Sequence, residues 1–125
     1  MTALRIGLAA CALLAATTSF AASATSNAAA PRYDGLWSVS IVTEKGDCDR
    51  GYRYPIRILQ GVLANGGSDP FTISGKVSPS GAIVVTVSAG NKSATGSGRL
   101  AGNIGAGYWQ GGSCSGTWSA ERRSS

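Results

Sequence analysis

The chain has 125 residues, 18 of them glycine, with three cysteines and no histidine. The missing histidine excludes Ser-His-Asp and Cys-His catalysis and every His-ligated metal site. Eleven Lys/Arg against six Asp/Glu give a net charge of +5. This moderate basic excess leaves an anionic surface as a partner class, but it is not the concentrated charge of a specific nucleic-acid reader.

The first 24 residues read as a secretory signal peptide. Arg5 supplies the positive start, Ile6 to Leu14 form a short apolar run, and small residues follow. The run is too short for a membrane span, which needs about 20 apolar residues. Ala22-Ser23-Ala24 offers cleavage after Ala24, with Ala21 and Ala22 as alternatives. Leu8-Ala9-Ala10-Cys11 resembles a lipobox, but the apolar run continues through Cys11 into Leu13 and Leu14. Cys11 is therefore expected to leave with the signal rather than to carry lipid. The mature chain is expected in the periplasm or the medium, with no transmembrane segment. Residues 25–32 read as a flexible leader and residues 33–123 as a single domain.

Signal removal leaves Cys48 and Cys114, an even pair in an oxidising compartment, and predicts one disulfide. Closing so long a loop is worth about 4 kcal/mol in the chain-entropy description.

Eight short strands follow from alternation and turn residues. The first spans 35–43, with Trp37, Val39 and Ile41 inward. A loop over 44–51 holds Cys48. The second strand, 52–59, places Tyr52, Tyr54, Ile56 and Ile58 on one face and Arg53, Pro55 and Arg57 on the other. A third, 61–64, runs into the turn cluster Asn65-Gly66-Gly67-Ser68-Asp69-Pro70. The fourth is 71–77 and the fifth 82–89. Gly90-Asn91 and Gly102-Asn103 signal hairpins on either side of the sixth strand, 93–100, because these residue types tolerate positive φ. The seventh is 105–110. The eighth, 113–121, alternates Cys114, Gly116, Trp118 and Ala120 with polar neighbours.

Short turns make neighbours antiparallel, and eight such strands close into a small up-and-down barrel. Closure brings the first connection beside the last strand, where the disulfide needs it. Ala94, Gly96, Gly98, Gly107 and Gly116 are small inward positions that make room for indole rings. Trp37, Trp109 and Trp118 are therefore expected to be structural core in an interior filled by its own side chains.

Gly35-Leu36-Trp37 on the first strand, the meander and the closing Gly-x-Trp strand resemble calycin-type small barrels such as lipocalins and avidins. Secreted protease-inhibitor barrels with one disulfide are similar in size and in this Trp position. The runs Tyr52-Arg53-Tyr54-Pro55-Ile56-Arg57-Ile58, Ser74-Gly75-Lys76-Val77 and Cys114-Ser115-Gly116-Thr117-Trp118 resemble uncharacterised small exported proteins of alphaproteobacteria. That resemblance implies export and a barrel but no mechanism, and labels of haem use in such proteins find no His here to serve as an axial ligand.

Chemistry-bearing groups are sparse. Asp47 and Asp49 flank Cys48 but lack a third close carboxylate for a calcium cage. No metal and no cofactor are implied, and no enzyme is expected, because paired acid-base groups are missing. The feature most open to function is Arg50, Arg53 and Arg57, a wet stripe able to hold carboxylate or phosphate. The sequence thus points to a non-catalytic exported binding or interaction module. The alternative is a barrel that inhibits a secreted hydrolase such as a protease or lysozyme. Partners are an anionic surface or a secreted protein.

Overall fold

The inward set of each strand is apolar or small, and the sheet closes around it. The computed structural model describes residues 31–125. Its strands are β1 (Gly35–Lys45), β2 (Gly51–Leu59), β3 (Val62–Asn65), β4 (Thr72–Val77), β5 (Ala82–Ala89), β6 (Lys92–Ala101), β7 (Ile104–Gly111) and β8 (Cys114–Ser124). They pair in sequence order and β8 returns to β1, giving a closed antiparallel barrel. No strand edge is left for pairing with another chain. The fold class expected from sequence is the one observed, with strand ends displaced by up to three residues. The signal peptide, Cys11 and residues 25–30 of the leader lie outside the described residues.

Two features depart from the sequence expectation at the chain's ends. Pro31–Tyr33 forms a single 3-10 turn rather than the end of a loose leader, and Tyr33 is buried. The last strand runs on to Ser124, which adds Arg122 to the inward row of Cys114, Trp118 and Ala120. Both changes have one cause. The guanidinium of Arg122 donates to the carbonyls of Asp34 at 2.9 Å, Arg32 at 2.5 Å and Gly102 at 3.2 Å. These bonds tie the turn to the last strand.

The barrel has two unlike ends. At one end lie the N-terminal turn and the β2–β3, β4–β5 and β6–β7 turns. Tyr33, Trp37, Ile58, Leu63, Val77 and Leu100 are buried there. Trp37 Nε1 donates to the Tyr33 carbonyl at 2.8 Å, and the Arg122 guanidinium lies 5.1 Å from the Trp37 ring centroid. Asp34 accepts from the backbone N–H groups of Gln60 at 2.8 Å and Gly61 at 3.3 Å, bracing the β2–β3 turn. Gln60 needs that support because it holds a positive φ of 52°. This end is closed.

At the other end lie the β1–β2 loop, the β3–β4 loop and the β5–β6 and β7–β8 turns. The Cys48–Cys114 disulfide, with Cα atoms 6.2 Å apart, fastens the β1–β2 loop to the start of β8. Thr43 helps hold the same loop, its hydroxyl donating to the Asp49 carbonyl at 2.5 Å. Asn65 holds the β3–β4 loop by donating to the carbonyls of Asp69 at 2.7 Å and Phe71 at 2.9 Å. Two disciplined loops therefore frame an opening.

Pro55 sits inside a paired strand, where its missing N–H ordinarily breaks a ladder. Its carbonyl accepts from Gly66 N at 3.1 Å, so its nitrogen also faces away from β1. The β2–β3 ladder begins at Ile56↔Asn65, one residue further on. Pro55 thus falls beyond the ladder and forfeits no bond. In a closed barrel it has no edge to guard.

Candidate functional site: the barrel interior and its mouth

The wall formed by β6 and β7 is nearly bare of side chains. Its inward positions are Ala94, Gly96, Gly98, Leu100, Gly105, Gly107, Trp109 and Gly111. The register sets Trp118 beside Gly107, and Gly107 beside Gly98. A methyl group added at Gly98 or Gly107 would come within 2.7 Å of the Trp118 indole. The ring therefore lies against the sheet over these glycines. Its Nε1 donates to the wall carbonyls of Ser97 and Tyr108, both at 3.2 Å. Trp109 faces Gly116 across the β7–β8 ladder. Over that glycine its Nε1 reaches the Val42 carbonyl on β1 at 3.0 Å.

These bonds decide what the interior becomes. Trp37 and Trp118 are buried, and Trp109 is half-buried at the opening. Yet Trp109 and Trp118 are drawn to the wall by their N–H groups, so neither occupies the centre. An apolar cavity of about 180 Å³ remains, against the expectation of an interior filled by its own side chains. It runs between Ala94, Gly96, Leu100 and Trp109 of the β6–β7 wall and the bulkier wall of Trp37, Val39, Tyr54, Ile56 and Ile58. The glycines do make room for indoles, as the sequence suggests. Gly98 and Gly107 are covered by the Trp118 ring, and of the glycines on this wall Gly96 is the one that borders the cavity.

Ile41, Tyr52, Phe71, Val87, Ala94 and Trp109 line both the cavity and the basin outside it, so they form the neck between them. Three rings pack at one side of this neck. Tyr52 and Phe71 meet edge to face with centroids 5.6 Å apart, and Tyr54 lies 5.9 Å from Tyr52 and 6.3 Å from Phe71. Such distances are typical of favourable aromatic pairs. The Tyr52 hydroxyl lies 3.4 Å from Asp69 Oδ2 at the surface.

The cavity lining is chemically plain. All three indole N–H groups are engaged by backbone carbonyls, so the tryptophans offer only carbon surface. No Lys, Arg, Asp or Glu lines the cavity. Its deepest polar group is the Tyr54 hydroxyl. Burial, and secondarily Tyr52, pushes that phenol up to about 12, so it is neutral at any ordinary pH. Tyr54 is 7% exposed. It borders the inner cavity but not the outer basin.

Arg50, Arg53 and Arg57 are all exposed. Arg53 and Arg57 share the outer face of β2, opposite Ser40 and Leu36 of β1. Four residues of strand separate their Cα atoms by about 13 Å. Arg50 lies in the loop before the strand. Among the described residues none of the three forms an ion pair. Asp47 and Asp49 are exposed loop acids, and no cluster of three or more metal-ligating side chains occurs among the described residues.

Sequence reasoning missed the two residues that matter most to the interior. Arg122 continues the period-two row 114, 116, 118 and 120, a signal present in the sequence. Tyr54 is assigned correctly to the inward face, but a filled barrel gives its hydroxyl nothing to do.

Compared with known proteins, the chain matches no family model, no curated protein and no solved structure. What the barrel can do is therefore set out from its geometry. No helix among the described residues is long and apolar enough to cross a membrane.

Proposed function

We propose that the protein is an exported, non-catalytic binding module whose barrel interior takes a small apolar ligand through the neck at Tyr52, Phe71 and Trp109. The observation that carries this is the apolar cavity of about 180 Å³ in continuity with an open basin. Binding sites of this kind are concave, mainly apolar and preformed. An apolar cavity of about 150 Å³ in another protein stays dry and takes up benzene, so the volume here suits one ring or two fused rings. It is well below what a haem or a long lipid chain needs.

Export is supported by the signal-like N-terminus and by the disulfide, which suits an oxidising compartment such as the periplasm or the medium. A non-catalytic role is supported by a cavity that offers tyrosine hydroxyls but no acid-base pair. Inhibition of a secreted hydrolase has less support. The two mouth loops are pinned by the disulfide and by Asn65, not held out from the barrel.

The test is a titration with naphthalene, followed by tryptophan fluorescence. Trp37, Trp109 and Trp118 all border the cavity and should report saturable binding. Ala120→Leu, which places a larger side chain on the same lining, should abolish it while the protein stays folded. A folded wild type with no saturable response would refute the proposal.

A further inference from the structure

Tyr52, Tyr54 and Thr95 bring hydroxyls to the residues that line the cavity, and of these Tyr54 alone is buried. The Tyr54 hydroxyl makes no hydrogen bond among the described residues, although the ring around it is buried. It is not one of the sealed polar atoms either; among the described residues only Arg122 Nε is both sealed and unpartnered. The hydroxyl therefore keeps access to open space, and Tyr54 borders the inner cavity and not the basin outside. A hydroxyl with such access can be bonded by water or by a ligand atom, and a ligand oxygen placed against it makes the bond that water would make. The other candidate donors are already committed: each indole N–H is bonded to a backbone carbonyl.

We infer that the natural ligand class is an uncharged aromatic molecule of one or two rings bearing a single oxygen, a phenol or an aryl ether or carbonyl, with Tyr54 donating to that oxygen. This rests on the interior being a ligand site. Three observations fix the class. The volume sets the number of rings, the carbon-rich lining sets the apolar body, and the lone buried hydroxyl sets the one polar atom. Charge is excluded by the lining. It contains no ionised side chain, so a carboxylate or ammonium would be desolvated without a partner. The raised proton affinity of Tyr54 agrees with this, because the group remains a donor and never becomes a competing anion.

Position strengthens the assignment. Tyr54 pairs with Val39 on β1, Val39 with Ala120 on β8, Ala120 with Gly105 on β7, and Gly105 with Leu100 on β6. This row runs from Tyr54 to Leu100 at the closed end, and Tyr54, Val39, Ala120 and Leu100 all line the cavity. A ligand anchored at Tyr54 would lie with its rings against Val39 and Ala120, which line the cavity beside it.

The experiment compares naphthalene, 2-naphthol, 2-methoxynaphthalene and 2-naphthoate on the intact protein, by fluorescence titration at pH 7. Wild type should bind 2-naphthol and 2-methoxynaphthalene about three- to tenfold more tightly than naphthalene, the range expected of one net hydrogen bond. The carboxylate should bind at least about tenfold more weakly than 2-naphthol. Tyr54→Phe should erase the preference for oxygen and keep naphthalene binding. Tyr52→Phe, altered at the exposed hydroxyl near Asp69, should keep the preference. No binding of any probe overturns the ligand-site reading itself. Naphthalene binding without an oxygen preference, or a preference that survives Tyr54→Phe, overturns only the anchor. Tight binding of the carboxylate overturns the uncharged class. Should Tyr54→Phe fail to fold, the wild-type comparison still decides, joined by the NMR shift of a ring-labelled Tyr54. That resonance should move with 2-naphthol more than with naphthalene, and equal shifts would overturn the anchor.

Discussion

Arg122 and Trp37, from the two strands that close the barrel, stack with the guanidinium 5.1 Å from the ring centroid and together hold the N-terminal turn. Trp37 bonds the Tyr33 carbonyl and Arg122 bonds those of Arg32 and Asp34. The cation offsets its partial burial with three carbonyl acceptors and a ring face. Arg122→Met should keep most of the packing but lose these bonds, lowering stability by about 1–3 kcal/mol. Hydrogen exchange should show residues 31–34 opening first. A variant as stable as wild type, with the turn still protected, would remove Arg122 from this role.

The disulfide fastens the mouth. Cys114→Ala should lower stability by about 2–5 kcal/mol and loosen the β1–β2 loop, because Cys48 is its covalent tie to β8. Chemical denaturation of wild type and variant checks the first effect, and non-reducing peptide mapping of exported protein checks the pairing. Free thiols at both positions would contradict it.

Gly107→Ala should be costly for a stated reason. The added methyl would run into the Ser97 backbone carbonyl and lie 2.7 Å from the Trp118 ring, so the β6–β7 pairing and the ring must both give way. The ring should be forced into the cavity, at about 1–3 kcal/mol of stability and with loss of naphthalene binding. Gly112→Ala, where a methyl would meet nothing within 4 Å, serves as the contrast for space. Its positive φ of 57° still exacts a backbone cost, on the order of 1 kcal/mol, but binding should survive.

Tyr54 gives the protein an alkaline signature. Its folded value lies near 12, above its ordinary value of 10.0, because burial disfavours the phenolate. The stabilisation linked to this group is fully present below pH 10. It is lost as the pH rises through the folded value, after the unfolded chain has begun to ionise. Two units correspond to at most about 2–3 kcal/mol. An absorbance titration of the four tyrosines should therefore show a late-ionising one that disappears in Tyr54→Phe. Titration of all four near 10 would place the Tyr54 hydroxyl in water.

The arginine stripe separates folding from surface charge. Arg53→Glu with Arg57→Glu alters two exposed side chains on the outer face of β2. Stability should change by no more than about 0.5 kcal/mol per site, and naphthalene binding should be unaffected. Any attachment to an anionic surface should be lost, and in wild type it should weaken with salt. Attachment that persists in the double variant would move that surface elsewhere.

Strand positions, barrel closure and the disulfide were legible because each depends on local pattern. Period two assigns Trp118 and Ala120 to one face, Gly90 and Gly102 mark turns at positive φ, and two cysteines in a chain expected to be exported have few other fates. The cavity was not legible, because it depends on where two indole N–H groups point. Sequence shows glycines facing tryptophans. It does not show that the same glycines bare the carbonyls of Ser97, Tyr108 and Val42, to which the rings are drawn. Arg122 was obscured for a related reason. An arginine on an inward row reads as the end of a strand unless backbone acceptors are there to receive it.

The central claim is that the ligand site is inside the barrel. It is tested most directly by a heteronuclear NMR titration of the isotope-labelled protein with naphthalene. Saturable shifts should concentrate on the inward residues Tyr54, Val85, Leu100 and Ala120. Outward residues such as Val84 and the 74% exposed Tyr108 should remain unmoved. Shifts confined to the outer wall, or none at all from a folded protein, would contradict it.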